Sequence, residues 1–124
     1  GAEMATVARP LQPGEEQLPQ VVKVVLDSMA RALYFSRSLI PYPRTPGEVA
    51  PLAHVGIYGY QAHVLQRLAR LPETALERAE GLEQLRAMFH GIEIQVAVGP
   101  YASVAVDTPD DLARVRQLYE RSRR

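Results

Sequence analysis

The sequence contains no cysteine, which excludes disulfides, thiol catalysis and cysteine-ligated zinc or iron–sulfur centres. It also lacks a net charge, because fourteen Lys and Arg balance fourteen Asp and Glu. A general nucleic-acid binder needs a basic surplus for phosphate contacts, so that class is set aside, although a local anion site is not. No apolar run approaches the roughly 20 residues of a membrane span. The N-terminus has neither the basic nor the apolar region of a signal peptide. The expectation is a cytoplasmic protein without a membrane partner. Phosphate-cradling glycine loops, Ser/His/Asp sets and close carboxylate pairs are missing as well.

What is present suits one domain or part of one. The 124 residues are 47% hydrophobic and 23% charged, which is ordinary for a folded protein. A chain of this size buries about two-thirds of its unfolded surface. Met4 to Val7 is a short β-leaning run ended by Arg9 and Pro10, and the Pro-, Gly- and Glu-bearing stretch 11–20 reads as an exposed loop. Val21 to Leu26 is β-branched and apolar on both faces, the pattern of a covered strand. A turn at Asp27–Ala30 and a strand at Ala32–Ser36 make a hairpin with it. Four prolines between Pro41 and Pro51 exclude a helix, so 41–53 is a second exposed loop.

His54 to Tyr60 alternates as a strand, with Gly56 and Gly59 where something packs closely. Val64, Leu65, Leu68 and Leu71 recur at helical spacing up to Pro72. A second helical stripe runs through Leu76, Ala79, Leu82, Leu85 and Phe89 to Gly91, and Gly81 splits it into two short helices. Ile92 to Val98 is a further strand. Thr108-Pro109-Asp110-Asp111 opens a last helix with Leu112, Val115 and Leu118 on its apolar stripe. The order β, β, β, β, α, α, β, α is α/β, but it has too few crossover helices for a purely parallel sheet. It reads as part of a larger sheet.

Several residues are candidates for chemistry. Arg37 and Arg44 sit at a strand end and in a proline-stiffened loop, where guanidinium groups suit carboxylate or phosphate. Spacing alone favours the plainer reading of two solvated arginines. His54 and Tyr58 share a strand face with Gly56 between them, which either leaves space for a ligand or packs a core histidine against a tyrosine. His63 and His90 read as surface residues. On the second helical region Glu80 and Gln84 share a face, with Glu83 offset; such groups bind sugar hydroxyls but are more often solvated. Asp107 lies just outside the cap at Thr108. There it is either a ligand for a hard cation such as Mg²⁺ or a turn residue bonding its own backbone.

Five stretches, taken together, resemble the C-terminal half of the 3-deoxy-manno-octulosonate cytidylyltransferases, the CMP-KDO synthetases. They are Met4-Ala5-Thr6 with its strand, Val22 to Arg44, His54 to Tyr60, Leu82 to Arg86 and Val106 to Leu112. The resemblance implies part of a nucleotide-diphospho-sugar transferase fold, Rossmann-like, with a mixed sheet and flanking helices. It implies transfer of CMP from CTP to the anomeric hydroxyl of the eight-carbon sugar acid, with release of pyrophosphate, to make the activated sugar of lipopolysaccharide. By position, Asp107 is then a Mg²⁺ carboxylate, and Arg37 and Arg44 face the anionic substrates, Arg44 toward the sugar. His54, Tyr58, Glu83 and Gln84 line the sugar pocket, and the enzyme is a homodimer. The family's CTP loop and its Gln-Gly-Asp-Glu-Pro metal stretch do not occur in these residues. Ala30 stands where the family usually has a turn glycine, the loop from Arg44 to His54 is short, and Gln61 occupies a position that is often Arg. Two alternatives stay open: a non-catalytic module for sugar-acid binding or assembly, and a cytidylyltransferase for another sugar acid such as sialic acid.

Overall fold

A computed structural model describes residues 2–100. Five strands, β1 (Met4–Pro10), β2 (Lys23–Leu26), β3 (Ala32–Ser36), β4 (Leu52–Tyr60) and β5 (Ile94–Val98), form one sheet in the order β3-β2-β4-β1-β5. Helices α1 (Ala62–Leu68), α2 (Ala75–Glu80) and α3 (Gln84–Phe89) connect β4 to β5. Only β1 and β5 run parallel, and the other pairs are antiparallel. That connectivity explains how few helices suffice, since hairpin-type pairing needs no crossover. The α/β class with a mixed sheet and flanking helices is the one the sequence suggested. The helix that the sequence places after Thr108 lies outside the described residues.

The main core lies between the helices and one sheet face. Met4 and Ala8 of β1, Val24, Phe35, Ile94 and Val96 meet Val64, Leu82, Leu85 and Ala87 of the helical segment, all buried. On the opposite face, buried Val7 and Ala97 pack with Val55 and Ile57. The alternation of β1 and β5 thus serves two apolar surfaces, one on each face of the sheet.

The helical stripe is interrupted where the chain turns. Gly81 adopts φ +67, which ends α2 in the left-handed conformation that glycine enters without steric cost. The change of direction leaves Leu82 and Leu85 in the core but exposes Leu76 and Phe89, two members of the expected apolar stripe. Leu65 is exposed for a related reason, because α1 is only seven residues long and buries Val64 alone. A capping box opens α2: Thr74 accepts from the Glu77 amide, and the Glu77 carboxylate accepts from the Thr74 amide. The second exposed loop ends at Pro51, since Leu52 and buried Ala53 already belong to β4.

Lys23, the single lysine of the chain, is fully buried within the strand pattern that looked apolar. Its ammonium donates to the carbonyls of Leu18, 2.8 Å, and Arg37, 3.0 Å. Burial lowers its pKa, against the pull of Glu15 and Glu16. Lys23 therefore ties the first exposed loop to the end of β3.

The β2–β3 turn is closed by Asp27, whose carboxylate accepts from the amides of Met29 and Arg31 and from the Arg31 side chain at 2.8–2.9 Å. Its tip reaches the outer edge of β5, where the Val96 amide donates to the Ala30 carbonyl and the Gln95 side chain to Met29 and Ala30. Ala30 itself holds φ +59, the left-handed region that costs a Cβ-bearing residue about 1–2 kcal/mol. We predict that Ala30→Gly raises thermal stability, by about 0.5–1 kcal/mol after glycine's extra chain entropy is subtracted. A melting temperature equal to or below that of the parent chain would contradict the strain.

Candidate functional site

The site begins with an irregularity in β4. Thr6 of β1 pairs with Tyr58, yet its neighbour Val7 pairs with Val55, so Gly56 and Ile57 form a two-residue bulge. Four residues along a regular strand cover roughly 13 Å, whereas the His54 and Tyr58 rings meet edge to face with centroids 5.3 Å apart. The bulge contracts the strand and brings the two side chains into contact. No ligand space opens between them, and the expectation that Gly56 provides it is not met. Gly56 and Gly59 are exposed, with nothing within 4 Å of a Cβ built on either, so neither marks a close approach.

The bulge leaves the Ile57 carbonyl outside the paired register, where it meets the Thr6 hydroxyl. The Thr6 oxygen lies 2.6 Å from the Ile57 carbonyl, 3.3 Å from that of Val55 and 2.9 Å from His54 Nε2. His54 also packs edge-on against buried Phe35, 4.8 Å between centroids. Burial pushes its pKa from 6.5 down to about 4, so the imidazole is neutral at pH 7. Of the two readings of His54, the packed histidine describes its surroundings.

Tyr58 extends from this cluster to a cavity of about 320 Å³ whose lining includes Met4, Tyr60, Leu82, Glu83, Gln84 and Arg86. The volume falls within the range of small-molecule sites. Tyr58 and Tyr60 stack at 5.9 Å and 27°. Burial raises both phenol pKa values, followed for Tyr58 by Tyr60 and then Glu83, and for Tyr60 by Glu83, so both keep their protons. Phenol, carboxylate and carboxamide in one cavity make a set of donors and acceptors suited to a ligand rich in hydroxyls.

The α2–α3 segment holds these groups by internal struts. Glu77 is buried and accepts two hydrogen bonds from the Arg86 guanidinium, at Nε 2.8 Å and Nη2 2.5 Å. This bidentate pair spans the Gly81 turn and, with the Thr74 amide, keeps the Glu77 carboxyl below its ordinary pKa. Arg37 braces the same turn from β3. Its guanidinium donates to the carbonyls of Glu80, 2.6 Å, Pro19, 2.9 Å, and Gly81, 3.1 Å, while its amide donates to the Glu80 carboxylate. Arg37 is thus half-buried, with its guanidinium engaged by the protein's own carbonyls. Glu80 and Gln84 do not share a helix face, because they stand on either side of the Gly81 break. Glu83 and Gln84 line the cavity instead.

The remaining candidates are dispersed. Arg44 is exposed on the 41–51 loop and does not line the cavity. Asp107 lies outside the described residues. His63 is exposed as expected, but His90 is half-buried at the end of α3, its Nε2 enclosed without a hydrogen-bond partner among the described residues. No three His, Cys, Asp or Glu side chains cluster as a metal site among the described residues, and no described helix is long and apolar enough to cross a membrane.

Acid should expose the His54 environment. The folded state favours the neutral ring, so the unfolded chain takes up its proton first, and stability is complete above pH 6.5 and lost as pH falls toward 4. The drop from 6.5 to about 4 corresponds to on the order of 3 kcal/mol. Glu15, lowered to about 2, and the lowered Asp27 and Glu77 act below the ordinary carboxylate range. Denaturant titrations between pH 7 and 4.5 should show a decline that His54→Gln flattens; parallel curves for both chains would refute it.

Comparison with known proteins places this geometry. A family profile described as cytidylyltransferase matches residues 1–94. A 3-deoxy-manno-octulosonate cytidylyltransferase of Anaeromyxobacter sp. (strain Fw109-5) is 54% identical over 119 residues, covering 95% of this chain and 49% of the relative. One of Neisseria meningitidis serogroup A is 46% identical, covering 95% of this chain and 51% of the relative. A solved CMP:2-keto-3-deoxy-manno-octonic acid synthetase complexed with CTP superposes with TM-score 0.80 at 44% identity, over 98% of this chain and 50% of that one. The chain spans about half the length of the curated relatives it matches.

Proposed function

The chain belongs to the cytidylyltransferase family, and on that premise we propose that it supplies the sugar-acid pocket of an enzyme joining CMP, from CTP, to 3-deoxy-manno-octulosonate. The observation that carries this reading is the convergence of Tyr58, Glu83 and Gln84 on one cavity, in a chain whose relatives bear that enzyme's name. In the reaction the anomeric oxygen bonds to the α-phosphorus of CTP, the bond to the β-phosphate oxygen breaks, and the hydroxyl proton leaves with pyrophosphate as the second product. The sequence has no cysteine and no Ser/His/Asp set that would point to a covalent route. The chain's part is to bind and orient the sugar so that its hydroxyl meets the phosphate, a gain from positioning rather than from protein covalent chemistry.

The phenols of Tyr58 and Tyr60 donate, Glu83 accepts, and Gln84 does both, so together they fix a polyol by its hydroxyl pattern. Arg44, exposed on the 41–51 loop, is assigned to the sugar carboxylate by the family resemblance. Arg37 acts on the protein's own carbonyls and is not assigned to substrate. Mg²⁺, when bound, neutralises charge on the phosphates, and this chain's contribution to holding it is Asp107. Two copies of the enzyme form the working unit.

The test is steady-state kinetics of a full-length cytidylyltransferase carrying this chain. Glu83→Ala, Gln84→Ala and Arg44→Ala should each raise the KM for the sugar acid by about tenfold, the effect of one lost polar contact of about 1.4 kcal/mol. The KM for CTP should stay unchanged. Asp107→Ala should abolish turnover. An unchanged sugar KM in all three pocket variants, or turnover of sialic acid in place of the eight-carbon acid, would overturn the assignment.

A further inference from the structure

Arg86 lines the cavity beside Glu83 and Gln84. Among the described residues it is the one cationic side chain of that lining, and Glu83, three residues before it, is the one anionic side chain. A guanidinium is planar and carries five N–H groups, arranged so that two separate edges can each grip a carboxylate. Glu77 occupies the first edge, accepting from Nε at 2.8 Å and from Nη2 at 2.5 Å. The second edge, formed by Nη1 and the other Nη2 hydrogen, donates to no described group. The Glu77 side chain is 8% exposed, whereas that of Arg86 is 29% exposed. The paired edge thus faces the protein interior, and the second edge is turned away from it.

We propose that Arg86 is a specificity-determining residue whose second edge receives the carboxylate of the sugar acid, while Glu77 locks the plane of the guanidinium. This role deepens the sugar-pocket reading and rests on it. A bidentate match is stronger and more directional than contact with an ammonium or a neutral donor. Because Glu77 already holds the guanidinium in place, little side-chain freedom is lost when a ligand arrives. The charges also orient that ligand. Glu83 repels a carboxylate and accepts from hydroxyls, so the acid end lies toward Arg86 and the polyol toward Glu83 and the Tyr58 and Tyr60 phenols. A neutral sugar with the same hydroxyls lacks the group that fills the second edge. Arg44, outside the cavity lining, is not displaced by this, since a carboxylate offers about four lone-pair sites.

The test compares two ligands in a full-length cytidylyltransferase carrying this chain. They are 3-deoxy-manno-octulosonate and its carboxamide, which keeps the hydroxyls and removes the charge. Calorimetry should find the acid bound about tenfold more tightly than the amide, the worth of one charge-assisted contact. Arg86→Lys keeps a cation for Glu77 but has no second edge. It should weaken binding of the acid about tenfold, with binding of the amide and the KM for CTP unchanged. A purely structural role for Arg86 would weaken acid and amide together, and that result overturns the proposal, as does an undiminished preference for the acid. If Arg86→Lys does not fold, the double variant Glu77→Gln with Arg86→Gln, which strands no buried charge, is measured in its place with the same expectations. If the preference for the acid persists while Glu83→Ala and Gln84→Ala weaken both ligands, the proposal fails and the sugar-pocket reading stands. If none of these substitutions changes the binding of either ligand, the sugar-pocket reading fails and the proposal falls with it.

Discussion

The two-residue bulge in β4 is the constraint on which the pocket depends. A strand that ran on regularly would hold His54 and Tyr58 about 13 Å apart, too far to pack. With Gly56 and Ile57 inserted opposite a single step of β1, the rings meet, and Tyr58 is delivered to the cavity with His54 and Phe35 supporting it from behind. A bulge exposes backbone carbonyls that a ladder would have satisfied. Thr6, buried in the neighbouring strand, donates its one hydroxyl proton to the Ile57 carbonyl at 2.6 Å. The two strands therefore specify the feature jointly, β4 through the extra residues and β1 through the side chain opposite.

A second set of interactions fixes the other wall. The chain has few lysines and no charge surplus, and several of its charged groups serve as internal struts. Lys23 and Arg37 donate between them to five backbone carbonyls that belong to the first loop, β3 and the α2–α3 turn. Glu77 and Arg86 bridge that turn from within. Loop carbonyls and helix ends are groups that would otherwise need water, so these struts hold Glu83 and Gln84 in place on two very short helices. Their positions come from tertiary contacts, because six-residue helices have little stability of their own.

Much of this was legible in the sequence. The strands expected over Val21–Leu26, Ala32–Ser36 and Ile92–Val98, the hairpin turn at Asp27, the proline loop and the break at Gly81 are each announced by a local signal, and the structure carries the strands as Lys23–Leu26, Ala32–Ser36 and Ile94–Val98. The resemblance groups His54, Tyr58, Glu83 and Gln84 in one pocket, and of these Tyr58, Glu83 and Gln84 line the cavity. The bulge was not readable, because it is a property of register between two strands distant in sequence. Arg37 and Lys23 misled for the same reason: a cation's partners here are backbone carbonyls, which leave no trace in residue type. Leu76 and Phe89 counted as core on periodicity, but periodicity holds only while the helix keeps its axis, and Gly81 ends it. The Thr74–Glu77 capping box does carry a local signal, the Thr-x-x-Glu pattern. Asp107, the residue on which the metal assignment rests, lies outside the described residues, so its place comes from the resemblance alone.

The most direct test of the account is whether the pocket binds the sugar acid. A ¹H–¹⁵N titration of the 124-residue chain with 3-deoxy-manno-octulosonate, in the absence of nucleotide, reads that out residue by residue. The account predicts saturable shifts confined to Tyr58, Tyr60, Leu82, Glu83, Gln84 and their immediate neighbours, with Ser28, Met29 and Ala30 at the far hairpin unmoved. Shifts centred on another surface, or none at millimolar sugar acid in a chain whose spectrum is that of a folded protein, would contradict it.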